Sequence, residues 1–286
     1  MNLDVRQDLP GERLQSIYAE HGALILRGFY NVEADIAPIQ EGVRRIVELV
    51  AAKYRVAADC STAPAAMTQG YLALIAADRR YGGEVYDAVK QLPAFVRLLA
   101  DRRNEDLYRT LIGGGFAGIA GGGYGIRIDN PFEEKFRAQW HQEFPAQLRS
   151  VDGAVFWSPL LDMTQAMGPV QVLPGSQAEG LLNTYDDAAG VGKSGAYALF
   201  LENEEQVVAK YQKLEPLLAP GDLIVMNFLL LHQSGFNISD RPRWSMQFRY
   251  FNFADPVGTA MGWKGSFATG TDFREILKNV ALKAPS

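Results

Sequence analysis

The chain has 286 residues, of which 48% are hydrophobic, with a formal net charge of −5 and a sequence pI near 5.4. This length allows one large domain or two small ones, and the apolar content suffices for a full core. The lack of a basic surplus argues against nucleic acids and anionic membranes as partners, and no apolar run reaches the roughly 18 residues that a membrane helix needs.

Cysteine content and the N-terminus indicate a cellular compartment. Cys60 is the single cysteine, which excludes an internal disulfide, and the charged N-terminal stretch lacks the apolar core of a signal peptide. These features favour a soluble protein in the reducing cytoplasm. We expect a monomer or homodimer.

The first third of the chain has mostly helical periodicity. Apolar spacing predicts a short helix over residues 11–21, ended by Gly22, and then a strand over 23–29. A longer apolar stripe predicts a helix from about 34 to 56 that faces a core. Residues 57–68 are polar and predict irregular structure, and 70–112 predict helices broken by Gly82-Gly83 and Pro93. No titratable cluster occurs here, so residues 1–112 are interpreted as a scaffold with a first strand.

A glycine-rich run covers residues 113–125. It contains a formal G-x-G-x-x-G between Gly113 and Gly118, but a dinucleotide site needs a strand before this motif and a helix after it. Here a predicted helix precedes it and more glycine follows. The run therefore indicates a tight, flexible approach to a strand at 125–129 rather than nucleotide binding.

From residue 125 to 253, short β-rich runs alternate with turns. Closely spaced short strands without helices between them are typical of an antiparallel sandwich or barrel. The runs cover residues 136–144, 153–161, 169–173, 222–228 and 244–253. One long, turn-rich insertion, at about 178–212, interrupts them, and we expect it to form a lid over the site.

The strongest chemical signal is His141 and Glu143, in the run R-A-Q-W-H-Q-E. Alternate side chains of a strand leave the same face, so these two converge on one metal ion while Gln142 points away. Of the two remaining histidines, His21 falls in the last turn of the first helix, where a cation interacts favourably with the negative end of the helix dipole. His232 is therefore the candidate third ligand. Two histidines and one carboxylate form the facial triad of non-haem Fe(II) oxygenases.

The order of motifs resembles that of the phytanoyl-CoA dioxygenase family of Fe(II)/2-oxoglutarate oxygenases. The family's W-H-Q-D is similar to W-H-Q-E at 140–143, which is followed by a tryptophan run, G-P at 168–169, P-G-S at 174–176, P-G-D at 220–222 and H-x-S-x-x-N-x-S-x-x-x-R at 232–243. The resemblance spans residues 127 to about 253, with a weaker similarity at 21–29.

Three positions depart from the family pattern. Glu143 stands where the family usually has aspartate, which adds a methylene and moves the strand slightly farther from the metal. A retained carboxylate argues against halide transfer. Met167 and Gln177 replace an asparagine and a histidine, and we expect them to affect local turn packing more than the metal.

The resemblance implies a mainly β protein with flanking helices. Its core would be a double-stranded β-helix (a cupin-like jelly roll) with the helix-rich N-terminal third packed on it. We expect one domain over residues 1–286, with the scaffold at 1–112, the jelly-roll core at 113–256 and a C-terminal segment at 257–286.

The resemblance also implies roles for individual residues. The metal ligands and catalytic residues would be His141, Glu143 and His232, and the 2-oxoglutarate arginine would be Arg243. Further residues expected near the cosubstrate are Ser234, Ser245, Trp157 and Gln142. Candidate substrate residues are Arg127, Asp129, Phe144 and Arg249, with a structural ion pair as an equal alternative for the first two.

The last β-rich run fits this interpretation. The polar residues Arg243, Ser245, Gln247 and Arg249 share one face of a strand, and the opposite face is apolar and aromatic. A planar guanidinium can hold the far carboxylate of 2-oxoglutarate with two hydrogen bonds. This predicts a strand with one face on a cavity and the other on helices; the alternative is that the polar residues form an exposed face of the sheet.

The implied activity is hydroxylation of an unactivated C–H bond of a small organic molecule, with O2 as oxidant and 2-oxoglutarate converted to succinate and CO2. The same cofactors also permit desaturation, cyclisation, epimerisation or alcohol oxidation in a biosynthetic pathway. A non-catalytic jelly-roll binding protein is a further alternative, against which the retained ligand set and arginine argue.

Overall fold

A computed structural model describes residues 3–186 and 199–265 of the chain. Its strands are β1 Asp4–Val5, β2 Ala23–Leu26, β3 Ala117–Ile119, β4 Gly125–Asp129, β5 Ala154–Pro159, β6 Val170–Val172, β7 Thr184–Asp186, β8 Leu199–Leu201, β9 Leu223–Asn227, β10 His232–Ser234 and β11 Arg243–Asn252. Its helices are α1 Gly11–His21, α2 Ala37–Tyr54, α3 Ala63–Ala65, α4 Tyr71–Ala77, α5 Arg79–Val89, α6 Pro93–Leu99, α7 Arg102–Leu111, α8 Phe144–Gln147, α9 Glu204–Val208 and α10 Pro256–Met261.

Seven strands form one mixed sheet in the order β1-β2-β9-β5-β11-β3, with β4 also paired to β11. The β1–β2 pair is parallel and the other pairs are antiparallel. A second, two-stranded sheet joins β6 and β10, with His232 opposite Val172. The strands β7 and β8 form a third pair.

The N-terminal helices end where local chemistry requires. Gly22 takes a left-handed conformation (φ 69°) and closes α1 by donating its N–H to the Tyr18 carbonyl. The predicted long helix is confirmed as α2, preceded by a π-helical turn at Val32–Ile36 that the Asn31 side chain caps. Pro93 starts α6, where its missing N–H costs nothing.

Two predictions for this region were wrong. Residues 57–68 are not wholly irregular, because Thr62 caps α3 and a π-helical turn follows at Ala66–Gly70. The Gly82-Gly83 pair does not break a helix but lies inside α5. The break falls instead at Asp78, whose extended backbone and side chain cap α5. Gly82 is packed closely enough that an added Cβ would meet Ile75 and Tyr71.

The sheet separates two apolar cores. Helices cover one face, where α2 contributes Ile39, Val43 and Val47. On the same face Trp244 donates its indole N–H to the Met67 carbonyl at 2.7 Å. The predicted apolar face of β11 therefore packs on helices, as expected.

The second core lies on the opposite face of the sheet. Val155, Trp157 and Met226 from the large sheet pack with Val170 and Val172 from the small one. The residues that suggest chemistry lie between these two sheets.

Over residues 3–186 and 199–265 the strands form open sheets rather than a closed barrel. The predicted combination of β-sheet with a helix-rich N-terminal third packed on it is confirmed. No helix in the described ranges is long and apolar enough to cross a bilayer.

Candidate active site

Three side chains meet between the two sheets. One donor atom each from His141, Glu143 and His232 lie within 4.8 Å of one another, and all three residues are buried. The Glu143 Oε2 atom is 3.8 Å from His141 Nε2 and 3.6 Å from His232 Nε2. Two imidazole nitrogens and a carboxylate oxygen at this spacing are suited to one divalent ion.

Backbone pairing sets the two histidines side by side. His141 N–H donates to the His232 carbonyl at 3.1 Å, and His232 N–H donates to the His141 carbonyl at 3.2 Å. A hydrogen bond at Nδ1 orients each ring. His141 Nδ1 lies 2.7 Å from the Gln139 carbonyl oxygen, and His232 Nδ1 lies 3.0 Å from the Leu230 carbonyl oxygen. Since a carbonyl only accepts, Nδ1 carries the hydrogen and the Nε2 lone pair faces Glu143.

Glu143 reaches the histidines by a different route from the predicted one. The predicted strand over 136–144 was wrong: His141 makes an isolated bridge, and Glu143 has helical backbone angles (φ −72°, ψ −32°) at the start of α8. The turn forms because Phe144 is fully buried in the second core. Tertiary packing thus replaces strand alternation as the reason that the two ligands converge.

The electrostatics favour metal-binding protonation states. Burial alone would raise the pKa of the Glu143 carboxyl, but Arg249 and the two histidines lower that pKa well below its usual range. Burial, and then the neighbouring His141, lower the pKa of His232. An ionised carboxylate beside a neutral imidazole is the pair of ligand forms that a metal ion requires.

Arg243 lies in the same cavity and is 2% exposed. Its Nη2 and Nε lie 2.8 and 3.2 Å from Asp129 Oδ2. Among the described residues, Nη1 makes only long contacts of 3.5 and 3.4 Å with the Met167 and Gly235 carbonyls. Asp129 also pairs with Arg127 at 2.6 Å. Burial would raise the pKa of Asp129, but the two arginines lower it to about 2.

Ser245 provides a test of whether a 2-oxoglutarate carboxylate fits here. Its hydroxyl is fully buried and has no hydrogen-bond partner among the described residues. It lies on the same face of β11 as Arg243, and a buried hydroxyl left unpaired costs about 1–3 kcal/mol. A carboxylate that accepts from both residues would satisfy the hydroxyl and the weakly engaged Nη1, so the residues present fit this ligand.

A cavity of about 290 Å³ is lined by the three metal-cluster residues and by Arg243. The predicted residues that line it are His141, Glu143, His232, Arg243, Ser234, Trp157, Arg127 and Arg249. Sequence reasoning missed others that line it, namely Tyr86, Gly122, Gly123, Ala138, Gln147 and Gln233. The only signal for the two glycines was the glycine-rich run itself, and for Gln147 there was none.

Four predicted site residues do not line the cavity, namely Asp129, Ser245, Gln142 and Phe144. Phe144 belongs to the second core instead of the cavity wall. Gln142 points away from the metal residues, as expected, but its carboxamide is engaged by backbone: it donates to the Gly180 and Leu229 carbonyls and accepts from Leu182 N–H. The contacts with Gly180 and Leu182 attach the start of the insertion to the segment that carries His141 and Glu143.

The predicted insertion at about 178–212 is only partly described. Its ends form β7, β8 and α9, and Tyr185 pairs with Phe200. The central part of the predicted lid, residues 187–198, lies outside the described residues.

Two imidazoles and one carboxylate around one point are the ligand set of non-haem Fe(II) oxygenases. Residues 18–245 match the sequence model described as phytanoyl-CoA dioxygenase (PhyH), and the chain belongs to that family. It is therefore an Fe(II)/2-oxoglutarate-dependent dioxygenase, with iron and 2-oxoglutarate as cofactor and cosubstrate and O2 as oxidant.

Solved structures share the fold at low sequence identity. The epimerase SnoN, in complex with Fe3+, alpha ketoglutarate and nogalamycin RO, has a TM-score of 0.58 at 17% identity, over 92% of each chain. EctD from S. alaskensis, with 2-oxoglutarate and 5-hydroxyectoine, has a TM-score of 0.57 at 18% identity, over 89% of this chain and 82% of its own. The carbocyclase SnoK from nogalamycin biosynthesis has a TM-score of 0.54 at 14% identity, over 86% of this chain and 85% of its own. Comparison with curated protein sequences found no significant match.

Proposed function

We propose that the protein hydroxylates an unactivated C–H bond of a small organic molecule while 2-oxoglutarate is converted to succinate and CO2. The observation that carries this proposal is the buried cluster of His141, Glu143 and His232, which opens on the same cavity as Arg243. A metal site and a carboxylate-binding arginine in one cavity are the two parts that this chemistry needs.

The proposed roles follow from the side-chain contacts. His141, Glu143 and His232 hold Fe(II) through the two Nε2 atoms and a carboxylate oxygen. Arg243 and Ser245 hold the far carboxylate of 2-oxoglutarate, with Ser234 and Trp157 lining its pocket. When bound, iron and 2-oxoglutarate together supply the oxidising power.

The protein's own contribution is positioning and exclusion of water. Arg243 stays oriented because Asp129 holds its Nε and Nη2, so its Nη1 is presented to the ligand. The apolar walls, which include Val155, Trp157 and Met226, keep the reacting region dry. A cavity of about 290 Å³ is at the small end of ligand pockets, which favours a compact substrate.

The proposed architecture is a double-stranded β-helix within a single domain over residues 1–286. Support comes from the small β6–β10 sheet, which faces the large sheet across the metal residues. Residues 113–256 would form this core, with 1–112 as scaffold and 257–286 as a C-terminal segment.

The reaction outcome is open to a direct test. The solved structures with a similar fold include an epimerase and a carbocyclase, so the fold alone does not determine whether the reaction is hydroxylation or another oxidation. The test is succinate formation and O2 uptake with Fe(II), 2-oxoglutarate and a panel of small metabolites, followed by product mass.

A gain of one oxygen atom from isotopically labelled O2 supports hydroxylation. An unchanged mass points to epimerisation, and a loss of two hydrogens points to desaturation, cyclisation or alcohol oxidation. Absence of any iron-dependent succinate formation would refute the proposal in all its forms.

A further inference from the structure

We propose that Arg249 and Gln147 are positioning residues that fix the Glu143 carboxylate in one orientation, and that glycine at position 123 gives Gln147 the room to do so. This inference rests on the proposed iron site. It concerns the longer ligand, since a glutamate has one more rotatable bond than the aspartate usual in the family.

The two oxygens of Glu143 have different surroundings. Oε1 accepts from Arg249 Nε at 3.0 Å and from Gln147 Nε2 at 3.0 Å. Oε2 faces the two histidine Nε2 atoms, and its one other hydrogen-bond contact within the described part of the chain is with Arg249 Nη2 at 3.4 Å. Two strong donors on one oxygen therefore leave the other directed at the metal position.

Arg249 is itself held on three sides. Its Nη1 donates to the Gly123 carbonyl at 3.1 Å, and its Nη2 donates to Gln247 Oε1 at 3.1 Å. With Nε on Glu143, every guanidinium nitrogen has a partner. The group is thus a fixed support and cannot turn toward a ligand without breaking these contacts.

Gln147 is supported from the other side. It is 3% exposed, and its Oε1 accepts from Arg149 Nη1 at 3.1 Å. A Cβ added to Gly123 would lie 2.7 Å from that same Oε1, its nearest neighbour, and 3.0 and 3.2 Å from the Cβ and carbonyl oxygen of Ala120. A side chain at position 123 would therefore push the Gln147 carboxamide off Glu143, which gives the glycine-rich loop a role at the metal site.

The first experiment is anaerobic calorimetric titration with Fe(II) alone on the full chain and its variants. Arg249→Met removes one donor to Oε1, and Gly123→Ala displaces the other while leaving every charge in place. Partners that orient metal ligands typically contribute 10–100-fold to affinity. We expect the Fe(II) Kd to rise about 10–100-fold in Arg249→Met and about 10-fold in Gly123→Ala.

Matched controls exist for both changes. Arg79→Met removes an arginine that does not line the cavity and that pairs with Glu133 at 2.9 Å. Gly121→Ala adds a methyl group in the same loop, where a Cβ would meet nothing within 4 Å. Both controls should bind Fe(II) within about 2-fold of the wild type.

A second measurement reports ligand geometry independently of affinity. The visible absorption of bound Co(II) changes with coordination number, and a released Oε1 allows Glu143 to bind through both oxygens. We expect the same spectral change in Arg249→Met and Gly123→Ala and none in the controls. Should Arg249→Met fail to fold, Gly123→Ala decides the question, because it leaves no buried charge unpaired.

The outcomes separate this inference from the function on which it rests. Tighter Fe(II) binding in Arg249→Met would mean that the arginine acts only as a repelling charge, and unchanged affinity and spectra would mean that it positions nothing. Either result overturns this inference alone if the wild type binds one Fe(II). A wild type that binds none refutes the proposed function as well.

Discussion

The two faces of β11 make different kinds of contact, although their residues alternate along one strand. On the helix side, Trp244 and Tyr250 are buried and donate to the backbone carbonyls of Met67 and Leu99. On the cavity side, Arg243 and Arg249 pair with carboxylates from other segments. Alternate residues of one strand therefore contact the helical core on one side and buried carboxylates at the cavity on the other.

We therefore expect substitutions on the cavity side to weaken ligand binding more than they lower the free energy of unfolding. The largest effect is expected for His141→Ala at the metal cluster. Loss of one ligand should lower iron-dependent 2-oxoglutarate turnover more than about 1,000-fold, beyond the 10–100-fold typical of partners that only orient a ligand. Succinate formation and Fe(II) titration measure it.

His21→Ala is the matched control for that substitution, because this histidine lies at the end of α1, outside the cavity. It should leave both turnover and iron binding unchanged. Full iron binding by His141→Ala would contradict the ligand assignment.

The opposite face should respond in stability. Trp244 is completely buried and packs edge-on against Tyr71, with ring centroids 5.1 Å apart. Trp244→Ala should lower the free energy of unfolding by about 3–5 kcal/mol, measured by urea denaturation. Trp263, which is 41% exposed, provides a control whose loss should cost far less; equal losses for the two would remove the distinction between the faces.

Arg243→Lys tests geometry at constant charge. The lysine keeps the cation but loses the planar pair of donors, so the KM for 2-oxoglutarate should rise about 10–100-fold, as expected for hydrogen bonds to a charged group worth about 1.5–3 kcal/mol. The exposed Arg241, two residues earlier, provides the control Arg241→Lys. An unchanged KM in Arg243→Lys would assign the cosubstrate to another cation.

Asp129 links the cavity face to pH-dependent stability. Its pKa is about 2 in the folded protein against an ordinary 3.8, so the stabilisation is present above about pH 4 and disappears as the pH falls from about 4 to about 2. Asp129→Asn should therefore lower the free energy of unfolding by about 2 kcal/mol at neutral pH, with a smaller deficit in acid. Urea denaturation at several pH values measures this difference.

Asp240→Asn, at an almost fully exposed carboxylate, is the matched control and should lower the free energy of unfolding far less at neutral pH. A deficit for Asp129→Asn that is constant with pH would contradict the assignment of the depressed pKa.

Much of the fold could be predicted because its determinants are local. The alternation along β11 follows from the pleat of a strand, and the helix over residues 11–21 follows from its apolar spacing and Gly22. The prediction of a helix break at Gly82-Gly83 was wrong because Tyr71 and Ile75, from another helix, pack against Gly82. Propensity acts within a few residues, whereas such packing joins distant ones.

For the candidate site as well, some features could be predicted from the sequence and others could not. The kinds of donor group could be identified from the chain alone: two imidazoles, one carboxylate and a guanidinium, in an order similar to that of one enzyme family. The packed structure was needed to show that Glu143 reaches the histidines from a helical turn, that Phe144 belongs to the core, and that Arg249 and Gln147 donate hydrogen bonds to the carboxylate. Residue chemistry and periodicity can be read along the chain, whereas the partner of a buried charge depends on which segments the packed core brings together.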